Sequence, residues 1–476
     1  MTQLSTSDQA GAPGPGRAPG LTTPLTDAPL GPLDGRYRRS VAPLAAHLSE
    51  AALNQRRLQV EVEWLIHLTE TGAVPNVRRL KAEEISYLRT VSAGFDAASV
   101  EELAQTERVT LHDVKAVEYY LKKRMAGTSL ADLDEVVHLF CTSEDVNNLS
   151  YALMVRDAVQ QVWLPAAQAI TDDIANLARE LRDLPMLART HGQPATPTTL
   201  GKELAVLAHR LGRQLRRIAA AEYLGKINGA TGTYSAHVAA APNTDWPAVS
   251  RSFVEGLGLT WNPLTTQIES HDWQAELYSD VVRFNRVLHN FCTDVWTYIS
   301  MGYFIQVRGQ GSVGSSTMPH KVNPIRFENA EANLEISSAL FDVLAATLVT
   351  SRLQRDLTDS TTQRNIGTAF GHSLLAIDNA RRGLAGLDAD PAALARDLDA
   401  TWEVLGEAVQ SVMRVHGLEQ PYERLKELTR GRKVDAAVMR EFVSGLELPA
   451  DVRQRLIGLT PGRYTGLASE LVDYLD

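Results

Sequence analysis

Gly314-Ser315-Ser316-Thr317-Met318-Pro319-His320-Lys321-Val322-Asn323-Pro324 is the stretch around which the other motifs of the chain are organised. It has two halves. Upstream, Arg308-Gly309-Gln310-Gly311-Ser312-Val313 leads into Gly314 and a hydroxyl pair, Ser315 and Ser316. Glycine admits backbone angles that other residues avoid, so this half predicts a mobile loop. Downstream, Asn323 suits a helix N-cap and Pro324 the first helical position. Lys321 and Asn323 would then stand at the positive end of a helix dipole, where a carboxylate or phosphate binds well. Hydroxyls beside an anion site suit proton removal from a carbon next to a carboxylate. The carbanion sends its charge onto that carboxylate, which then needs fixed positive groups. A serine serves as base only when activated and closed off from water. Taken alone, the same residues also read as a Ser/Gly surface loop capped by Asn-Pro.

The literal string adds a second kind of information. Gly-Ser-Ser-x-Met-Pro-x-Lys-x-Asn resembles the signature of the fumarase/aspartase superfamily, whose members release fumarate by β-elimination. His320 after the proline is similar to the adenylosuccinate lyase branch; fumarases, aspartases and argininosuccinate lyases usually carry other residues there. The resemblance runs from about Leu33 to the end of the chain. It implies an all-α, three-domain fumarase/aspartase-type fold with a central long-helix bundle. The domains expected are 33–131, 132–384 and 385–476. Residues 1–32, rich in Gly, Pro, Ala, Thr and Ser, read as a disordered extension.

Bulk properties narrow the function classes. A chain of 476 residues buries large cores and forms two or three domains. With 44% hydrophobic residues and a mean hydropathy of −0.16 it reads as soluble and globular. A net charge of −10 argues against a nucleic-acid partner, although a small anionic ligand depends only on local basic residues. Cys141 and Cys292 lie far apart, with no Cys-x-x-Cys or His-Glu-x-x-His pattern. Neither a disulfide framework nor a zinc site is indicated, and two buried thiols fit a reducing cytoplasm. No apolar run is long enough to span a membrane, and the N-terminus lacks the regions of a signal peptide.

Helical periodicity fills most of the chain. Residues 43–72 place Leu58, Leu65 and Leu68 at helical spacing, with Trp64 read as core. From Val146 to about Leu184 the recurrence of Ile170, Ile174, Leu177 and Leu181 predicts a long helix that Pro165 should kink or interrupt. Leu200, Leu204, Leu207, Leu211 and Leu215 mark a second. Leu277, Val281, Phe284, Leu288, Phe291 and Val295 mark a third over 274–307. A fourth follows Pro324. Long helices with few strand signals read as a bundle. Asp390-Pro391 opens a further helix by the cap-plus-proline rule.

Several polar clusters punctuate these helices. Thr142-Ser143-Glu144-Asp145 reads as a helix N-cap whose hydroxyls and amides also suit a carboxylate. His112-Asp113 precedes a helical run through Tyr120, and Arg189-Thr190-His191-Gly192-Gln193-Pro194 reads as a rigid connector. In Arg355-Asp356-Leu357-Thr358-Asp359-Ser360-Thr361-Thr362-Gln363-Arg364, two arginines and a hydroxyl would suit a phosphate, since guanidinium forks match phosphate oxygens. The alternative is a charged turn closed by its own aspartates. Lys226–Thr233 reads as a structural turn near the site.

The resemblance assigns roles to these clusters. It implies that Ser315 is the general base, His191 the general acid that protonates the leaving nitrogen, and Glu328 the carboxylate that orients His191, with Lys321 beside the reacting group. It implies substrate contacts from Arg36, Tyr37, His112, Asp113, Thr142, Ser143, Gln267, Ser316, Lys321, Val322, Asn323, Asn329, Arg355, Ser360, Thr361 and Arg364. The reaction implied is cleavage of adenylosuccinate to AMP and fumarate, and of the related ribotide SAICAR to AICAR and fumarate. No metal or organic cofactor is called for, because a carboxylate is the electron sink. A homotetramer with shared active sites in the cytoplasm is implied as well. An argininosuccinate lyase, the alternative, would not need the Arg355/Ser360/Arg364 clamp. One departure stands out: Leu111 occupies a position where the resemblance leads one to expect Asn.

Overall fold

The computed structural model describes residues 29–307, 322–430 and 433–475. Ser315, Ser316 and Lys321, and residues 1–28 of the expected extension, lie outside the described residues.

The described chain is all-α. An N-terminal group comprises α1 (Arg38–Leu48), α2 (Glu50–Thr71), α3 (Ala82–Ala93), α4 (Ala97–Thr110) and α5 (Asp113–Met125). Then follow α6 (Ser143–Ala158), α7 (Leu164–Glu180), α8 (Leu200–Ala219), α9 (Ser235–Ala240), α10 (Trp246–Gly256), α11 (Asp272–Ser300), α12 (Ile325–Leu348), α13 (Thr358–Gln363) and α14 (Ile366–Leu384). From Pro391 onward the helices are short, beginning with α15 (Pro391–Asp399), which Asp390 caps as its sequence predicts. Four two-stranded ribbons connect the helices: β1 (Pro185–Met186) with β4 (Thr198–Thr199), β2 (Arg189–Thr190) with β3 (Gln193–Pro194), β5 (Leu224–Gly225) with β6 (Thr260–Trp261), and β7 (Phe304–Gln306) with β8 (Leu387–Ala389).

The long helices close a ring. α7 packs along α8, α8 along α11, α11 along α12, α12 along α14, and α14 returns to α7. Their inward faces carry the periodic residues of the sequence: Ile170, Ile174, Leu204, Leu211, Leu277, Val281, Phe284, Leu288, Phe291, Leu334 and Leu344 are all buried. Burying one such side chain contributes about 1.5–3 kcal/mol. Within this apolar core a polar chain crosses from helix to helix. Trp163 Nε1 donates to Ser373 Oγ at 2.9 Å, Ser373 to Asn285 Oδ1 at 2.8 Å, and Asn285 Nδ2 to Ser337 Oγ at 3.0 Å. Because any slip of one helix would leave these buried groups unpaired, the chain fixes the register of the bundle. A separate small core, from Trp402 to Leu456, holds the C-terminal helices.

Helix ends depart from the sequence reading at four places. The run expected over 43–72 is two helices, because Ser49 leaves the helical path and its hydroxyl accepts from Ala52 N at 3.1 Å to cap α2. The long helix after Val146 starts earlier, at Ser143, and stops at Glu180. Pro165 interrupts it as expected: a π-helical turn over Val159–Trp163 absorbs the missing N–H. The helix expected over 274–307 ends at Ser300, where Gly302 turns left-handed (φ +73°) and the chain leaves as β7. Finally, Pro324 rather than Asn323 is the N-cap of α12: with ψ near 44° it is not yet helical, and its carbonyl accepts from Phe327 N and Glu328 N.

Candidate active site

Two helix N-termini define the first half of the site. At the α4–α5 junction Leu111 adopts the left-handed conformation (φ +52°) and turns the chain. His112 then caps α5, its Nδ1 accepting from Lys115 N at 3.2 Å. Asp113 stands at the first turn. Its Oδ1 accepts from Val114 N at 2.9 Å, and its Oδ2 from Arg57 Nη2 at 2.7 Å and Arg364 Nη2 at 3.4 Å. Burial alone would push the Asp113 carboxyl up, but the Arg57 charge, the Val114 N–H and Arg364 outweigh it and hold the group below its ordinary range.

The second N-terminus is that of α6. Thr142 is its cap and Ser143 its first residue, both half-buried. Asp145 closes the cap by accepting from Thr142 N at 2.9 Å. The same carboxylate does three other things: it accepts from Lys226 Nζ at 2.8 Å, Asn228 N at 3.0 Å and Gly229 N at 3.1 Å. Both Asp145 and Lys226 are fully buried. The turn that begins at Lys226 is therefore bolted to the start of α6. Its Ala230 carbonyl accepts from Gln267 Nε2 at 2.9 Å, which orients the Gln267 side chain.

Arg355 completes this half. Its Nη1 donates to Gln267 Oε1 at 3.3 Å, and its Nη2 to Ser360 Oγ at 3.3 Å and Glu144 Oε1 at 2.8 Å. The expected pairing of Arg355 with Ser360 is therefore present. Arg364 departs from the single clamp read from sequence: it is held by Glu50 at 2.8 Å and by Asp113 at 3.4 Å, and shares neither of these partners with Arg355. Thr361 is exposed beside them.

A second group of expected residues sits elsewhere. Asn329 Nδ2 donates to Tyr37 Oη at 3.2 Å, and Arg36, exposed, lies 5.8 Å from the Tyr37 ring centre. The carbonyl of Val322 accepts from Gln306 Nε2 at 2.8 Å, which ties the start of α12 to β7, with exposed Asn323 next to it. These residues lie at the N-terminal end of α12, whereas Arg355 follows its C-terminal end. The 24 residues of α12, a rod about 36 Å long, run between the two groups.

His191 forms a third location. With Gly192 it makes the two-residue turn between β2 and β3, both at positive φ (55° and 74°), which is the geometry that closes a tight hairpin. It is exposed at the tip. Residues 143–180, from α6 through the π turn and α7, form a rod of roughly 55 Å. Thr142 starts that rod and the His191 hairpin follows its end, so the two stand tens of ångströms apart in one chain. The expected contact of Glu328 with His191 is not made within the described chain. Instead, Glu328 Oε1 accepts from Trp296 Nε1 at 3.1 Å, because the bundle sets α11 directly alongside α12.

Sequence reasoning missed Arg57, Glu144 and Asn147, which brace the first half. One signal was available for Arg57: it falls with Leu53, Val60 and Trp64 on the buried stripe of α2, and a charge on an apolar stripe calls for a buried partner.

Leu111 is 87% exposed and left-handed, a conformation that Asn adopts far more readily than Leu. Replacing Leu111→Asn is expected to leave kcat/KM within about threefold and to raise stability by up to about 1 kcal/mol. Thermal inactivation and steady-state assays of both forms check this. A tenfold or larger loss of activity, roughly 1.4 kcal/mol in barrier, would mean that the leucine packs into the site in the assembled protein.

Comparison with known proteins places this arrangement. A family model described as "Lyase" matches residues 35–336, and one described as "Adenylosuccinate lyase C-terminal" matches residues 351–465. The adenylosuccinate lyase of Escherichia coli strain K12 is 49% identical over 447 residues, covering 94% of this chain and 98% of that protein. The adenylosuccinate lyase of Vibrio cholerae is 48% identical over 448 residues, with the same coverage. Among solved structures, a fumarate lyase from Mesorhizobium sp. BNC1 superposes with a TM-score of 0.73 over 91% of this chain and 97% of that one, at 18% identity, a likeness of fold.

Proposed function

Because the chain belongs to the adenylosuccinate lyase family, we propose that it cleaves adenylosuccinate to AMP and fumarate, and SAICAR to AICAR and fumarate, as a cytoplasmic homotetramer with shared active sites. The observation that carries the substrate reading is the Arg355–Ser360 pair set beside the N-termini of α5 and α6. Those elements offer a guanidinium, a hydroxyl and two positive helix ends to a ligand bearing both a phosphate and carboxylates. An argininosuccinate lyase would not need this pair.

In this mechanism Ser315 takes a proton from the β-carbon of the succinyl group. The electron pair left on carbon passes into the neighbouring carboxylate, whose doubled charge is met by Thr142, Ser143, Gln267, Ser316, Lys321 and Asn323. The bond from the α-carbon to nitrogen then breaks, its electrons go to nitrogen, and His191 supplies the proton to it. A histidine suits this step because its ordinary pKa lies near neutrality. Fumarate and the amine leave, and the proton held by Ser315 returns to water. Arg355 and Ser360 hold the phosphate with Thr361 beside them, and Arg364, held by Glu50 and Asp113, adds its charge from the Asp113 side. His112 and Asp113 contact the remainder of the nucleotide, as do Arg36, Tyr37, Val322 and Asn329, and Glu328 orients His191.

Sharing of sites between copies is supported by the distances within one chain. Arg355, beyond the C-terminal end of α12, Asn329, in its second turn, and His191, past the end of the 143–180 rod, mark three separated places. One substrate molecule reaches all three only if different copies of the chain contribute them.

The test is fumarate release from adenylosuccinate by the purified protein, with argininosuccinate in parallel and Ser315→Ala as the blank. Release from adenylosuccinate alone, absent in the blank, is the expected result. Release from argininosuccinate, or undiminished release by Ser315→Ala, would overturn the substrate or the base.

A further inference from the structure

The two N-termini of the site are joined beneath the surface by side chains that the reaction itself does not use. Arg57 is 3% exposed, and its three nitrogens are all engaged. Nη2 donates to Asp113 Oδ2 at 2.7 Å, Nε to Asn147 Oδ1 at 2.9 Å, and Nη1 to Asn54 Oδ1 at 3.1 Å. Asn147 passes the contact on, its Nδ2 donating to Glu144 Oε1 at 2.8 Å. Glu144, also 3% exposed, ends on Arg355 at 2.8 Å. The sequence Asp113–Arg57–Asn147–Glu144–Arg355 is thus continuous, buried along its middle and open to the site at both ends. Charges alternate along it, with Asn147 as the neutral hinge whose amide faces Arg57 with oxygen and Glu144 with nitrogen.

We propose that Arg57, Asn147 and Glu144 are positioning residues that hold Asp113 and Arg355 in one mutual geometry, so that the two ends of the nucleotide are gripped together. The proposal rests on the substrate reading given above. It follows from how each link is satisfied. Asn147 can turn its amide only one way without placing a donor against Arg57 or an acceptor against Glu144. Glu144 is too buried to relax toward water, so its position is set by Asn147 and Arg355 together. A displacement of Asp113 must therefore be taken up by Arg57, then Asn147, then Glu144. Lysine at position 57 would keep the charge and lose the fork that reaches both Asp113 and Asn147.

A double-mutant cycle tests this directly, because among the described residues the hydrogen bonds that link Asp113 to Glu144 run through Arg57 and Asn147. Asp113→Asn and Glu144→Gln, singly and together, are assayed for kcat/KM with adenylosuccinate and for inhibition by AMP. The expected result is non-additivity of at least about fivefold that disappears when the cycle is repeated in an Asn147→Ala background. If Asn147→Ala does not fold, Arg57→Lys breaks the same link and serves instead. Glu144→Gln alone should raise the KM for adenylosuccinate and the inhibition constant for AMP together, by roughly tenfold, with kcat within about threefold. A merely structural loss would lower kcat through the amount of folded enzyme and leave KM unchanged. Additive effects within about twofold in the native background would overturn the proposal, as would a fall in KM for Glu144→Gln, which would make Glu144 a competitor of the phosphate. Absence of fumarate release by the native protein would remove the substrate reading itself, and with it this inference. Release by the native protein with an additive cycle removes the inference alone.

Discussion

Chains carrying His191→Ala, mixed with chains carrying Arg355→Ala and allowed to exchange subunits, are expected to regain about a quarter of native activity. Each variant alone is expected to be nearly inactive. Loss of a general acid costs about 10²–10⁴-fold, and truncating one member of a buried charge pair such as Arg355–Glu144 costs about 2–5 kcal/mol in binding. The recovery follows from the length of the helical rod over residues 143–180, which keeps His191 and the Arg355 cluster roughly 55 Å apart at 1.5 Å per residue. If a site draws His191 from one copy and Arg355 from another, random assortment gives about one site in four with both intact. If one chain supplied both, no mixture could exceed its parents. Fumarate release before and after exchange reads the outcome, with exchange itself verified by mass-tagged subunits. No recovery despite verified exchange would sink the shared-site reading.

The contrast between what was legible in the sequence and what was not follows from the range of each signal. The bundle was legible because Leu200 to Leu215 and Leu277 to Val295 repeat at the period of the helix, and that period needs no knowledge of the rest of the chain. The cap at Thr142 and the interruption at Pro165 were legible for the same reason, each being decided within a turn or two. The break at Ser49 was missed although it too is local, since serine is neutral enough in a helix that only its hydroxyl's choice of Ala52 N decides the matter. The Arg355–Ser360 pair lies five residues apart and could be read, whereas the diversion of Arg364 to Asp113 joins residues 251 positions apart, and Arg57 to Asn147 joins residues 90 apart. Glu328 illustrates a further limit. Its expected partner His191 belongs to a distant part of the chain, and a single chain satisfies it with Trp296.

Asp145→Ala is expected to be the most destabilising substitution in the site, and far worse than Lys226→Met on the other side of the same buried ion pair. Removing Asp145 leaves Lys226 charged and fully enclosed, a change that costs about 3–5 kcal/mol. It also strips the acceptor from Thr142 N, Asn228 N and Gly229 N, each worth about 1–3 kcal/mol when buried without a partner. Set against a net folding stability of about 5–15 kcal/mol for a typical domain, that sum leaves little. Lys226→Met is different in kind. Asp145 keeps its three backbone donors, which stabilise its charge, and methionine fills the volume of the lysine stem. The donors are also what join the cap of α6 to the turn that orients Gln267, so the loss from Asp145→Ala reaches the side chains proposed to meet the substrate carboxylates even where some protein folds. Soluble yield, thermal-inactivation half-life and KM for adenylosuccinate measured on both variants distinguish the cases. The double change Asp145→Leu with Lys226→Met should recover part of the stability lost in Asp145→Ala, because no charge is then left unpaired, while activity stays low because the α6 cap is still open. Were Lys226→Met to prove as damaging as Asp145→Ala, the carboxylate's backbone contacts would carry little of the stability, and the ion pair alone would be what secures this end of the site.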